Sequence, residues 1–406
     1  MKVCMIGLGY IGLPTAAVLA KNGVEVLGVD INPSVVESIN QGKVHIVEPD
    51  LDALVADCVQ KGNLKASLEP QPADVFMICV PTPFKENHQP NTDYIQQATK
   101  AIAKYLQKGN LVLLESTSPV GTTIKISQWL EEARQDLRFP HNHENPDIFI
   151  AHVPERVLPG FIIKELVQND RIIGGITPQC TQKAIELYRL FVQGKCIATD
   201  SKTAEMSKLT ENAFRDVNIA FANELSLICE KAGIDVYSLI SLANHHPRVN
   251  ILKPGCGVGG HCIAVDPWFI VSDFPQESKL IKTAREVNDY KTQFVLEKIR
   301  KKSQDKNYSK IALLGLAFKP DIDDLRESPA MKIAQMLICD SKTEFFIVEP
   351  HIQTLPQSLA QPNAKLSTLQ VALEESQLVI ILVAHKAFLD IKTSKEVLDF
   401  VNVKGN

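Results

Sequence analysis

With 406 residues, 45% hydrophobic and 22% charged, the chain has the composition of a globular protein of two or three domains with sizeable cores. A net charge of −4 excludes a whole-chain field that would recruit nucleic acid, and its longest apolar runs, such as Leu378–Ala384, are too short to cross a bilayer. Glycines break the apolar N-terminal stretch, so no signal peptide is read there, and a cytoplasmic protein with no membrane or nucleic-acid partner is expected.

Residues 2–6 read as a short buried strand running into a glycine loop, followed by a helix over Leu13–Asn22 and a second strand over Glu25–Asp30. Strand, turn, helix and strand in this order begin a Rossmann fold. Val75–Val80, a helix from Tyr94 to Gln107 and Leu111–Glu115 continue the alternation, another strand ends near Ile150, and Arg171–Gly174 predicts one more. Such alternation argues for a parallel sheet covered by helices on both faces.

Thr203–Ala232 holds neither proline nor glycine, and apolar residues recur at helical spacing through Met206, Leu209, Ala213, Val217, Ala220, Phe221, Leu225 and Ile228. This predicts a spine helix of about 45 Å, long enough to serve as a dimer surface. Lys279–Ser303 predicts a second helix. Lys310–Leu316, Phe345–Glu349 and Leu378–Val383 then read as strands of a smaller α/β domain. The expected fold class is α/β, with two Rossmann-like doubly wound parallel-sheet domains joined by a central helical domain that carries the spine helix. The expected bounds are 1–198, 199–304 and 305–406.

Gly7-Leu8-Gly9-Tyr10-Ile11-Gly12 sits between the first strand and the first helix. The first glycine permits the turn, the second lets a pyrophosphate approach the backbone, and the third allows close helix–strand packing. Asp30 closes the second strand, where a carboxylate binds a ribose 2′-hydroxyl and repels a 2′-phosphate, favouring NAD over NADP.

A second motif runs from Pro254 to Pro267 through Gly255, Gly257, Gly259 and Gly260 to His261, Cys262 and Asp266. So many glycines imply a backbone that passes close to something, most simply a ligand. Cys262, on a polar glycine-lined turn, reads as a nucleophile, and Cys256 in the same loop is the lesser rival. The nine cysteines contain no Cys-x-x-Cys pair, so neither a disulfide framework nor a metal site is expected, and most should be buried.

On the spine helix, Lys208 and Asn212 stand one turn apart, with Arg215 three residues further on. Turns at Val80–Pro83, Ser116–Thr123 and Val153–Arg156 follow expected strands at the carboxyl edge, where open α/β sheets bind ligands. The charged segment from Gly315 to Pro329 could hold an anion such as a diphosphate.

In order, GLGYIGLP, VPTP, ESTSPVG, PERVLPG, the Lys208–Asn212 helix, GGHC with Asp266, and FKPDIDDLRESP resemble the UDP-glucose/GDP-mannose dehydrogenase family over essentially the whole chain. HCIAVDPWFI and KLTENAFRDVNIAFANELSLIC look most like the branch that acts on UDP-N-acetyl-D-mannosamine in making bacterial surface polysaccharide. The resemblance implies a four-electron oxidation of the sugar C6 alcohol with two NAD, a UDP-N-acetylhexosamine substrate, and a homodimer. It places NAD on 1–198 and the UDP-sugar on 305–406.

By the same resemblance, Cys262 captures the aldehyde, Lys208 stabilises oxyanions or relays protons, and Asn212 holds an oxygen or a water. Glu155 and Asp266 take base or water-activating roles. Arg156, Val157, Arg215, His246, Arg248, Gly259, Lys319 and Pro320 fall at substrate-contact positions, with Arg248 reaching the partner subunit's site. Tyr10, Ile11, Thr82, Thr123 and Arg326 join Gly7, Gly9, Gly12 and Asp30 as cofactor contacts. Cys256 stands where the family commonly has a second proline, which implies a thiol near the site and a route to oxidative inactivation.

Other readings stay open at this point. The substrate could be UDP-GlcNAc, UDP-GalNAc or UDP-glucose. A two-electron hydroxyacid dehydrogenase shares the first domain but needs neither the GGHC cysteine nor a second α/β domain. A non-catalytic nucleotide sensor could keep the fold without the chemistry.

Overall fold

The computed structural model describes residues 1–85, 88–339 and 342–403. The chain forms two units, Met1–Thr210 and Glu211–Asn406.

In the first unit, β1 (Lys2–Ile6) shows why the fold is doubly wound. Its alternate side chains enter different cores, Val3 and Met5 on one face of the sheet and Cys4 and Ile6 on the other. Burial on both faces demands a continuous apolar strand, as Lys-Val-Cys-Met-Ile supplies. The chain continues through α1 (Gly12–Lys21), β2 (Glu25–Val29), α2 (Pro33–Asn40), α3 (Leu51–Gln60) and β3 (Leu64–Ser67). Then come β4 (Val75–Ile78), α4 (Asp93–Ala103), β5 (Leu111–Leu114), α5 (Thr122–Ala133) and β6 (Phe149–His152). The unit is completed by α6 (Ile162–Gln168), β7 (Arg171–Gly175), α7 (Pro178–Tyr188) and β8 (Cys196–Asp200).

The sheet order is β3-β2-β1-β4-β5-β6-β7-β8. From β3 to β6 every pairing is parallel, so the loops after β1, β4, β5 and β6 emerge along one carboxyl edge, and the order reverses direction between β1 and β4. One junction departs from the expected all-parallel sheet. β6 and β7 are antiparallel, which brings the start of β7 back to the edge where β6 ends.

The spine is one helix, α8 (Ser201–Ala232), and the division between the two units falls within it. The second unit goes on through α9 (Val236–Ala243), α10 (Asp266–Asp273) and α11 (Lys279–Lys306). β9 (Lys310–Leu314), α12 (Pro329–Cys339), β10 (Glu344–Val348), β11 (Ala364–Leu366), α13 (Leu369–Glu375), β12 (Leu378–Ile381) and β13 (Glu396–Asp399) follow. Their parallel sheet has the order β11-β10-β9-β12-β13. β9 repeats the logic of β1, sending Ile311 and Leu313 to one core and Ala312 and Leu314 to the other. The α/β class with two Rossmann-like sheets and a helical middle is therefore the observed one.

Candidate active site

In the first unit, β1 ends where Gly7 turns the chain and donates its N–H to Val29 O at 2.8 Å. Gly12 is buried, and a Cβ there would stand 1.9 Å from Gly7 O, so only glycine lets α1 start this close to the strand. Gly9 and Tyr10 are exposed and Ile11 half-buried, and a Cβ on Gly9 would meet no chain atom within 4 Å. No side chain caps α1 at Ile11, which leaves the N-terminal amides and the positive end of the helix dipole for an anion. Asp30 is aimed at this loop, its two oxygens accepting from Leu8 N at 3.0 Å and Asn32 N at 2.9 Å. Open glycine backbone, an uncapped helix start and a fixed carboxylate fit the diphosphate and ribose of a dinucleotide.

Two threonines on the same edge hold loops together. The buried Thr82 hydroxyl donates to Thr117 O at 2.6 Å. Thr123 donates from both N–H and Oγ1 to Glu205 Oε1, at 2.7 and 2.6 Å, and Gly121 N–H donates to Glu205 Oε2 at 2.6 Å. Glu205, fully buried on α8, thus places a carboxylate at the N-terminus of α5, where the dipole favours it.

Glu155 follows β6 and is buried against Arg171, which opens β7 and donates from Nη1 at 2.8 Å. Its other oxygen accepts the Arg156 N–H at 2.6 Å. Arg156 and Val157 are half-buried beside it, and Lys208 is half-buried on α8. Behind Glu155, the buried Glu115 accepts from the Tyr188 hydroxyl and, at 3.0 Å, from Cys79 Sγ.

In the second unit, Cys262 is exposed on the turn that leads into α10. Its carbonyl accepts N–H bonds from Val265 at 3.1 Å and Asp266 at 2.9 Å. Asp266 is buried at the first position of α10, and Asn212 donates from Nδ2 to its Oδ2 at 2.5 Å. The neighbouring His261 is held below its ordinary value by burial and by Arg326, which keeps the ring neutral.

Gly257, Gly259 and Gly260 approach the chain itself, which corrects the expectation that a ligand explains them, whereas Gly255 faces open space. A Cβ on Gly259 would lie 2.6 Å from Glu327 O, and one on Gly260, at φ +84°, would lie 2.8 Å from the Phe318 ring. Gly260 N–H also donates to Arg326 O at 3.1 Å, so the loop and the FKPDIDDLRESP segment are packed together. Lys319 lies over the Phe318 ring and is half-buried, Pro320 is exposed, and Arg326 pairs with Asp324.

Cys256 corrects a second expectation. It is buried in the core of the second unit with Sγ directed at Leu382 O, and burial pushes its thiol up to about 12. It is a packing residue and offers no thiolate to an oxidant.

His246, Arg248 and Arg215 are exposed. His246 Nδ1 accepts from Arg248 N at 3.3 Å, on a loop that Asn244 pins at both ends through Ile251. Asp321, His351 and His385 bring potential metal-ligand atoms within 4.8 Å of one another. Both ring nitrogens of His385 are already used, however, Nδ1 accepting from Asp321 N at 2.9 Å and Nε2 donating to Glu349 at 3.0 Å. That cluster is a clasp between loops.

Three family models cover the chain in sequence. The NAD binding domain of the UDP-glucose/GDP-mannose dehydrogenase family matches residues 1–192, its central domain 202–290 and its UDP binding domain 312–404. The chain belongs to the UDP-glucose/GDP-mannose dehydrogenase family. It is 62% identical over 399 residues to a UDP-N-acetyl-D-mannosamine dehydrogenase of Campylobacter jejuni, covering 98% of both chains. It is 56% identical over 394 residues to an NDP-N-acetyl-D-galactosaminuronic acid dehydrogenase of Ralstonia nicotianae, covering 97% of this chain and 93% of that one. Among solved structures, a UDP-D-ManNAc dehydrogenase of Pyrococcus horikoshii superposes with a TM-score of 0.88 at 37% identity, over 99% of this chain and 96% of that one.

The enzyme is therefore an NAD-dependent dehydrogenase, and UDP-sugars are its substrate class. Its fold brings Cys262, Asp266 and Asn212 together in the second unit, and ties the glycine loop to Asp30 in the first. Sequence reading missed Arg171, Tyr188, Glu115 and Glu205 as partners. Glu115 stands inside a motif already singled out and Glu205 on the expected spine helix, whereas a charged residue opening an apolar strand was the one signal for Arg171.

Proposed function

We propose that this dehydrogenase oxidises UDP-N-acetyl-D-mannosamine at C6 to UDP-N-acetyl-D-mannosaminuronate, using two NAD, in the cytoplasm and for surface polysaccharide. The observation that carries the reading is the exposed Cys262 thiol one turn from a buried carboxylate that is itself held by Asn212. Gly7, Gly9 and Gly12 would hold NAD, which would supply the hydride acceptor for both oxidations at C6.

The chain's residues supply the rest. Glu155 takes the proton of the C6 hydroxyl as the alcohol becomes an aldehyde. Cys262 Sγ then adds to C6, forming a C–S bond and a thiohemiacetal whose oxyanion Lys208 stabilises and protonates. A second hydride leaves C6 and the hydroxyl proton returns to Lys208, which leaves a thioester. Water, held by Asn212 and deprotonated by Asp266, adds to the thioester carbonyl. Cleavage of the C–S bond returns the thiolate and gives the carboxylate. Per sugar, one water is consumed and two NADH are formed, and no aldehyde leaves the enzyme between the oxidations.

We further assign residues 1–198 to NAD, 199–304 to a central dimerisation domain and 305–406 to the UDP-sugar. Arg156, Val157, Arg215, His246, Arg248, Gly259, Lys319 and Pro320 serve as substrate contacts. Tyr10, Ile11, Asp30, Thr82, Thr123 and Arg326 serve as cofactor contacts. A homodimer is supported by Phe214, Phe221 and Ile228, exposed at 70%, 51% and 56% and seven residues apart along α8, so that one stripe of large apolar side chains faces outward. Cytoplasmic placement is supported by nine cysteines outside any disulfide, five of them buried.

The choice of epimer follows the motif resemblance and the 62% identical relative, although a 56% identical relative is named for a galactosaminuronic acid. A panel of UDP-ManNAc, UDP-GlcNAc, UDP-GalNAc and UDP-glucose tests it, with the highest kcat/KM expected for UDP-ManNAc. Preference for another sugar overturns the epimer. One NADH per sugar, in place of two, overturns the two-step mechanism and favours a two-electron dehydrogenase.

A further inference from the structure

β5 and β6 are parallel neighbours with Leu114 opposite His152, so Glu115 and Glu155 leave adjacent strands at the same edge of the sheet. Both are buried, at 3% and 7% exposure, and so are Arg171 and Tyr188, at 1% each. Arg171 bonds to Glu155, whereas among the described residues Glu115 is held by neutral donors, the Tyr188 hydroxyl and the Cys79 thiol. One guanidinium thus serves two buried carboxylates. With both ionised, the cluster carries an excess negative charge in a medium that solvates it poorly, and uptake of one proton relieves it.

We propose, on the reading of Glu155 as the base of the alcohol oxidation, that Glu115 is its positioning residue, sharing the Arg171 charge and setting by its own protonation how strongly Glu155 attracts a proton. The groups that face Glu115 are Cys79 after β4, Glu155 after β6, Arg171 at the head of β7 and Tyr188 at the end of α7. Burial and then the Glu155 charge push Glu115 up to about 7, against the two hydrogen bonds and Arg171. Burial pushes the Cys79 and Tyr188 groups well up, so both remain protonated donors. Arg171 stays charged. Glu115 is therefore the member of this cluster that changes charge near neutrality.

When Glu115 is protonated, the Arg171 charge serves Glu155 alone. When Glu115 ionises, it draws on the same guanidinium and places a second negative charge beside Glu155, and alcohol oxidation speeds up. Glu115 acts on the reaction only through this coupling.

The test is kcat against pH for the full-length enzyme, joined to an infrared difference spectrum between about pH 6 and about pH 8. In the wild type, kcat rises through neutrality, and a protonated-carboxyl C=O band disappears over the same interval. In Glu115→Gln the rise flattens, the band is absent, and kcat at about pH 8 falls about tenfold, as expected for a change of one pKa unit in a general base. Tyr188→Phe, which removes one donor to the ionised carboxylate, moves both the rise and the band to higher pH. An unchanged rise and an unchanged band in Glu115→Gln overturn the proposal, and so does an unshifted band in Tyr188→Phe. Glu155→Gln turning over at the wild-type rate overturns instead the reading of Glu155 as a base, while the infrared band still reports on Glu115 by itself.

Discussion

Asn212 and Asp266 lie 54 residues apart in sequence and 2.5 Å apart in space, with the Asn212 amide donating to a carboxylate that is 4% exposed. The bond ties the spine helix to the turn that carries Cys262, so Asn212 and Asp266 are held together beside that thiol.

Asn212→Ala removes a charge-assisted bond and leaves a buried carboxylate short of a donor. We expect kcat to fall about 100-fold, with about 1–3 kcal/mol of stability lost. Rapid-quench detection of an enzyme-bound acyl group checks the step, and its accumulation locates the defect in hydrolysis.

Cys262 and Cys256 should separate cleanly in reactivity. Iodoacetamide is expected to label Cys262 and the other exposed thiol, Cys339, and to spare Cys256, as peptide mass mapping would show. Cys256→Ala should retain turnover and lose about 1–2 kcal/mol of stability. Cys262→Ser should retain NAD binding and form no uronate.

Gly12→Ala drives a methyl group into Gly7 O, where the ideal Cβ is only 1.9 Å away. Neither group is a flexible side-chain end, so the loop must move. A loss of about 2–4 kcal/mol of stability is expected together with at least about tenfold weaker NAD binding, read by thermal melting and by titration calorimetry.

Stability should depend on pH through Glu115. Its carboxyl rises on folding from an ordinary 4.5 to about 7, so between those values the folded protein holds a proton that the unfolded chain has released. Stability from this group is therefore full below the lower value and is lost as pH rises through the window. The Tm of Glu115→Gln minus that of the wild type should grow more positive from about pH 5 to about pH 8. A constant difference would show that Glu115 does not titrate there.

Arg171→Met leaves Glu155 and Glu115 buried without a cation. A cost of about 3–5 kcal/mol is expected in urea melts at neutral pH, and it should be smaller under mildly acidic conditions, where the carboxylates take up protons.

Local order decided much of what could be read early. Lys2–Ile6, the glycine loop and Asp30 are contiguous or nearly so, and short-range sterics fix their arrangement, which is why the dinucleotide site was legible from spacing. The strands β3, β8, β11 and β13 were not, because they are short edge or near-edge segments with weak apolar patterning. The glycines around Cys262 were legible as a close approach, yet what they approach, Phe318 and Glu327, lies some sixty residues further along the chain.

By itself the sequence determined the α/β class, the cofactor loop and the cysteine to propose as nucleophile, because each depends on residue type over a short window. Which cysteine is exposed and which is sealed at Leu382, that Asn212 holds Asp266, and that Arg171 faces two carboxylates were decided by tertiary structure. Burial and electrostatic pairing depend on which distant strands and helices become neighbours, and no local pattern in the chain encodes that.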